Sequence, residues 1–192
     1  MTTETLTSAI PAKRDLLTRR AIAVALGATL VALSAQVEIQ LGVNPVPITL
    51  QGAAIILVGL VLGPRMGAAA LISYLMMGLA GLPVFSGGSF GVLKLLGPTG
   101  GYLLAFPLGA FVAGYCATHG TAIAAPVRYL AGALVGIVVI HLGGWAWLAI
   151  ALHDPRTAFT LGVAPFAVID LTKAVLAAGL ALGLGGRVRR LL

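Results

Sequence analysis

Charged side chains are scarce in this chain. They make up 9% of its 192 residues, and only five are acidic. Soluble domains carry about a quarter. With 59% of residues hydrophobic and a mean hydropathy of +1.07, there is too little polar surface to cover a water-soluble fold. The reading is an integral membrane protein. The lone cysteine, Cys116, excludes a disulfide within the chain. A phosphate-binding loop is absent: the three lysines are Lys13, Lys94 and Lys173, and none follows a glycine. His119, His141 and His153 lack metal-ligand spacing, so no metal is expected. The net charge of +7 sits at segment ends rather than on an aromatic-studded patch, which argues against nucleic acid.

What remains is apolar and segmented. A membrane span needs ~20 mostly apolar residues. Six stretches qualify, at about 20–37, 47–63, 66–82, 101–118, 127–150 and 162–184. The expected fold is an all-α membrane bundle of six helices, with a Gly-rich outer loop between the third and fourth. Residues 1–19 form a basic N-terminal segment, 20–186 a single membrane domain and 187–192 a basic tail. LGPRMG (62–67) and LGPTGG (96–101) share the pattern L-G-P-x-x-G and mark two helix starts, where proline fits the first turn.

Six spans put Lys13, Arg14, Arg19, Arg20, Arg65, Arg128, Arg187, Arg189 and Arg190 on one side and Lys94 and Arg156 on the other. Nine against two is a positive-inside bias, so both termini are expected in the cytoplasm. ALSAQ at the end of the first span offers Ala32 and Ser34 near a signal-cleavage point, but the run is long for a signal sequence and is expected to be retained.

The last span carries Asp170 and Lys173. If that helix begins near Gly162, Asp170 lies roughly 12 Å along it and Lys173 near its middle. Three residues apart, both face one way. Each costs at least ~2.5–3.5 kcal/mol against lipid at a helix centre, so both must face the bundle interior or a wet cavity. A mutual ion pair that packs helices is one reading. The other is a ligand site, since the pair suits a small molecule with adjacent N–H and C=O groups.

The outer loops add candidates. VEIQLGVNPVPITLQ (37–51) holds Asn44, Thr49 and Gln51, and LPVFSGGSFGVLKLLGPTGG (82–101) holds Phe85, Ser86, Ser89, Phe90 and Lys94 among glycines. Loops of this length are often binding loops or lids, and phenylalanines can cover an apolar ring. Trp145 and Trp147 read as interface anchors and His141 as a packed or interfacial histidine. Ala21, Ala25, Ala28 and Ala32 form a small-residue face that suits either internal packing or a docking partner. GGSFG (87–91) matches G-x-S-x-G, the motif of a serine hydrolase. An intramembrane protease would need a histidine beside Ser89, and His141 is the one histidine within a span. A chain that can hold a ligand but has neither repeated halves nor an energy source suggests a substrate-capture subunit.

VPITLQ (46–51), LGPRMGA (62–68), GLPVFSGGS (81–89), LLGPTGGYLLAF (95–106) and DLTKAVLA (170–177) resemble the BioY family, the biotin-specific capture components of energy-coupling-factor transporters. The resemblance implies a six-helix protein of the bacterial cytoplasmic membrane that binds biotin from outside. Its partners would be a transmembrane coupling protein and a pair of cytoplasmic ATPases that use the ATP, together with membrane lipid. Self-association as a homo-oligomer stays open. Asp170 would accept from a ureido N–H and Lys173 would donate to the ligand. Lys94 would meet its carboxylate, while Phe85 and Phe90 close over the rings. Ala21, Ala25, Ala28 and Ala32 would dock the coupling protein. A capture subunit for another vitamin or small heterocycle is the alternative.

Overall fold

Prolines and glycines punctuate the apolar runs into helices. The computed structural model describes residues 13–40, 42, 44–120 and 123–192. Residues 1–12 of the expected basic N-terminal segment lie outside the described residues. Helix α1 runs Lys13–Ala35, followed by a two-residue antiparallel pair, β1 (Glu38–Ile39) and β2 (Ile48–Thr49). Then come α2 (Gln51–Leu62), α3 (Pro64–Leu79), α4 (Val92–Leu96), α5 (Gly100–Thr118), α6 (Ala125–Leu152), α7 (Pro155–Gly162) and α8 (Ala167–Leu191).

Among the described residues four helical stretches are long and apolar enough to cross a membrane: Arg14–Ala35, α5, α6, and Pro155–Leu191, which joins α7 to α8 through a short 3-10 turn. Six were expected. The shortfall is in the second and third. The β1–β2 pair takes up the chain to Thr49, so α2 begins only at Gln51 and has 12 residues. Helix α3 has 16 residues, and the chain turns through Gly81 at φ 96° just beyond it. At 1.5 Å per residue these helices span about 18 and 24 Å, below the ~30 Å hydrocarbon thickness. Pro64 does open α3, as its motif implied. Pro98, by contrast, lies in the turn before α5, whose N-cap is Thr99.

The sixth expected span also begins elsewhere. The chain breaks at Val163 (φ −122°, ψ −54°), turns through Ala164–Phe166 and restarts as α8 at Ala167. Asp170 therefore lies in the first turn of α8, not 12 Å along a helix. Asp154 caps α7: its carboxylate accepts from the Thr157 hydroxyl and the Arg156 N–H. Those bonds hold its carboxyl below the usual range.

Small residues let the helices approach. Along α5 and α6, Gly109 and Gly136 face each other, as do Ala105 and Gly143: an ideal Cβ on Gly136 would lie 2.9 Å from the Gly109 carbonyl oxygen, and one on Gly143 2.6 Å from the Ala105 Cβ. At the crossing of α2, α3 and α5, a Cβ on Gly59 would overlap the Ala110 carbonyl, and one on Gly67 would come within 2.9 Å of the Gly59 Cα. Around these contacts lies the core, in which Val31, Ile55, Ile56, Leu60, Leu71, Tyr74 and Leu148 are fully buried.

One end of the bundle is clasped by arginines. Arg189 donates to the Leu60 carbonyl at 2.7 Å and to the Tyr129 hydroxyl, and its guanidinium lies 5.8 Å over that ring. Arg20 donates to the Leu192 carbonyl at 2.8 Å. The start of α1, the end of α2, the start of α6 and the end of α8 thus meet at this end. The starts of α2, α5 and α8 lie at the other, beside the cavity described next.

Candidate functional site

The cavity has about 710 Å³ of atom-free space, counting its open mouth. Val46, Pro47 and Thr49 from the strand segment form one side, with Gln51 and Gly52 from the start of α2. Ser86, Lys94 and Thr99 come from the loop between α3 and α5. Tyr102, Leu103 and Phe106 come from α5, and Ile137, Ile140 and His141 from α6. The 3-10 turn supplies Phe166 and α8 supplies Asp170 and Lys173.

Among the described residues Asp170 is the only acid lining the cavity, and donors hold both of its oxygens. Lys173 Nζ donates to Oδ1 at 2.7 Å, and His141 Nε2 approaches Oδ2 at 2.6 Å. Asp170 and Lys173 are each 8% exposed, so burial of the charges rests on this pairing. An ionised carboxylate only accepts, which assigns the Nε2 proton to His141. The position in the first turn of α8 adds the partial positive charge of a helix N-terminus. A carboxylate has about four lone-pair sites, so roughly two remain for a ligand. Gly52 leaves that approach open: an ideal Cβ there would stand 3.7 Å from Oδ1.

Gln51 is fixed within this wall. Its Nε2 donates to the Tyr74 hydroxyl at 2.7 Å, and that hydroxyl donates to the Val84 carbonyl at 3.2 Å. Tyr102 packs against Gly144 and donates to the Gly162 carbonyl at 2.7 Å, tying α5 to the end of α7. Asn44 Nδ2 donates to the Leu161 carbonyl at 2.9 Å and ties the segment between β1 and β2 to α7.

The expected site residues divide. Asp170, Lys173, Lys94, Ser86 and Gln51 line one cavity. Phe85, Ser89 and Phe90 do not. Phe85 is fully buried beneath the loop, edge-on to Tyr74 with ring centroids 5.5 Å apart, in a notch left by Gly78. Phe85 is thus part of the core and does not line the cavity. Phe90 is 56% exposed, and the Ser89 hydroxyl donates to the Ser86 carbonyl at 2.6 Å. Among the described residues no hydrogen bond joins Ser89 to a histidine, and His141 is engaged by Asp170, so the geometry of a serine hydrolase is absent. The alanine face also divides: Ala21 and Ala25 are exposed, whereas Ala28 and Ala32 are buried in the chain's own core. Trp145 and Trp147 are half-buried and donate to the Pro155 and Gly97 carbonyls, so they brace the start of α7 and the turn before α5.

His141 overturns its reading as a packed or interfacial residue: it belongs to the buried charge cluster. The argument that singled out Asp170, an ionisable group inside an apolar span, applied equally to it. Tyr102, Phe106 and Phe166 were not foreseen as cavity residues. Apolar and aromatic side chains in an apolar run give no local sign of which face meets a ligand.

Comparison with known proteins bears on this site. Residues 3–190 match the family model described as BioY family. A relative from Pyrococcus horikoshii, named "Probable biotin transporter BioY", is 46% identical over 154 residues, covering 80% of this chain and 88% of its own. The "Biotin transporter BioY" of Thermotoga maritima is 40% identical over 166 residues, covering 86% and 95%. A crystal structure described as the S-component for biotin from an ECF-type ABC transporter superposes with a TM-score of 0.81 at 26% identity, covering 95% of each chain. With nearly its whole length matched in sequence and in fold, the chain belongs to the BioY family.

Proposed function

We propose that this chain binds biotin as the substrate-specific membrane subunit of an energy-coupling-factor transporter. The observation that carries the reading is the polarity of the cavity. Asp170, neutralised by Lys173 and bonded by His141, offers acceptor sites to an uncharged N–H head group. Lys94 lines the same cavity as a second cation for an anionic group. A cyclic urea joined to a carboxylate has both features, and biotin has that plan. The names of the relatives and of the matching structure support the same ligand.

The chain has no phosphate-binding loop, so ATP would be used by partner ATPases coupled through a transmembrane protein. Six crossings complete the reading, with α2 and α3 as short spans extended by their outer loops. The arginine-clasped end would lie in the cytoplasm with both termini, and the cavity would open outward, in a bacterial cytoplasmic membrane.

The test is equilibrium binding of labelled biotin to detergent-purified protein, beside Asp170→Asn and Lys173→Ala variants that remain monodisperse. Binding by the unmodified protein is expected, weakened about tenfold or more in each variant through loss of a charged hydrogen bond. No binding by the unmodified protein sinks the assignment, and a panel of other vitamins would then identify the ligand class.

A further inference from the structure

A carboxylate in a dry cavity ordinarily favours a cation. Asp170 is surrounded so as to oppose one. Lys173 holds Oδ1 and His141 holds Oδ2, while Lys94 brings a second ammonium to the same cavity. His141 contributes a hydrogen bond from the opposite edge of the carboxylate to Lys173. Its ring is held between Tyr102, edge-on at 6.2 Å, and Phe166 at 6.0 Å. Its Nδ1 is buried and has no hydrogen-bond partner among the described residues. A proton there would have no acceptor, so this geometry suits the tautomer that carries a proton on Nε2 alone.

We infer that His141 is a specificity-determining positioning residue: its N–H occupies Asp170 Oδ2, so the carboxylate accepts from a neutral N–H head group and rejects a cationic one. The inference rests on the biotin reading of the cavity. With Oδ2 engaged, Asp170 is fixed in plane, and its remaining lone pairs face the cavity with much of their negative potential already drawn off. Without His141, Oδ2 would be bare beside the ligand. The site would then tolerate positive charge that it now excludes.

The probe is the pair biotin and 2-iminobiotin, which differ in a head group that is a neutral urea in one and a guanidinium, protonated at neutral pH, in the other. Dissociation constants for both would be measured on the unmodified protein, His141→Phe and His141→Gln. The unmodified protein should prefer biotin by about tenfold or more, and His141→Phe should shrink that preference by about tenfold while weakening biotin itself. His141→Gln, whose amide can still donate, should keep most of the preference. A merely structural role would weaken both ligands together and leave their ratio unchanged. An unchanged ratio in His141→Phe overturns the inference. So does equal or tighter binding of the guanidinium by the unmodified protein, a result that needs no variant to fold. Failure of the unmodified protein to bind biotin is a different outcome, which overturns the biotin reading and this inference with it.

Discussion

Gln51 faces the cavity on terms set by Tyr74, which is itself fully buried. The Tyr74 hydroxyl accepts from Gln51 and donates to the Val84 carbonyl, so one oxygen ties the start of α2 to the loop after α3. Tyr74→Phe would strand the buried Gln51 amide donor, at a cost of about 1–3 kcal/mol, while the Val84 carbonyl would keep Gln36 Nε2 as a donor at 3.4 Å. A lowered thermal midpoint in detergent is expected, whereas Tyr115→Phe, at an exposed tyrosine, should leave it unchanged. An equal midpoint for the Tyr74 variant would mean that the hydroxyl carries no stability. At this scale the sequence was legible where chemistry was out of place: Asp170 and Lys173 stand out in an apolar run. Phe85 was misplaced because its notch is made by Gly78, a residue whose importance is an absence of side chain. No property of Phe85 itself announces that partner.

Helices whose backbones nearly touch define the next scale. Gly59 packs against the Ala110 carbonyl where α2 crosses α5, and Gly114 lies where a Cβ would come 2.6 Å from the Gly59 carbonyl. Gly59→Ala would force backbone against backbone, costing about 1–3 kcal/mol or more by overpacking. Gly179→Ala, with nothing within 4 Å of its Cβ, should be neutral or gain up to about 1 kcal/mol from helix propensity. Chemical or thermal unfolding of the two variants side by side checks this contrast; equal effects would remove the crossing from the account. Helix starts and the α2–α3 turn were readable from Gly63-Pro64. The break before α8 was harder. Pro165 is compatible with the first turn of a helix, and only the folded backbone, broken at Val163 and turned through Ala164–Phe166, shows that α8 starts after it. Small-residue spacing was read on α1, yet close backbone approaches also run along α5 and α6 and where α2 crosses α5, because the same spacing recurs in several helices and only packing chooses among them.

Across the whole molecule, the arginine clasp and the cavity occupy opposite ends. A sidedness test follows from this polarity. With Cys116→Ser as background, Arg156→Cys should react with a membrane-impermeant thiol reagent applied to intact cells, and Arg65→Cys only after the membrane is opened; both side chains are exposed. The reverse pattern would invert the proposed orientation. The surface of α1 permits a second test. Ala21→Trp and Ala25→Trp should leave biotin binding intact while lowering ATP-driven uptake by about tenfold or more if these exposed alanines dock a partner, since a bulky side chain blocks close helix approach. Unimpaired uptake would release them from that role. The α5–α6 seam has a consequence for how such a pocket can diversify. Those two helices contribute Tyr102, Leu103, Phe106, Ile137, Ile140 and His141, and they meet largely through glycine and alanine. A wall spaced by bare backbone has almost nothing left to trim and no room to add. Descendants that acquire a new ligand would keep the spacing of these two helices as an inherited gauge and vary the side chains that face the cavity from every element around it.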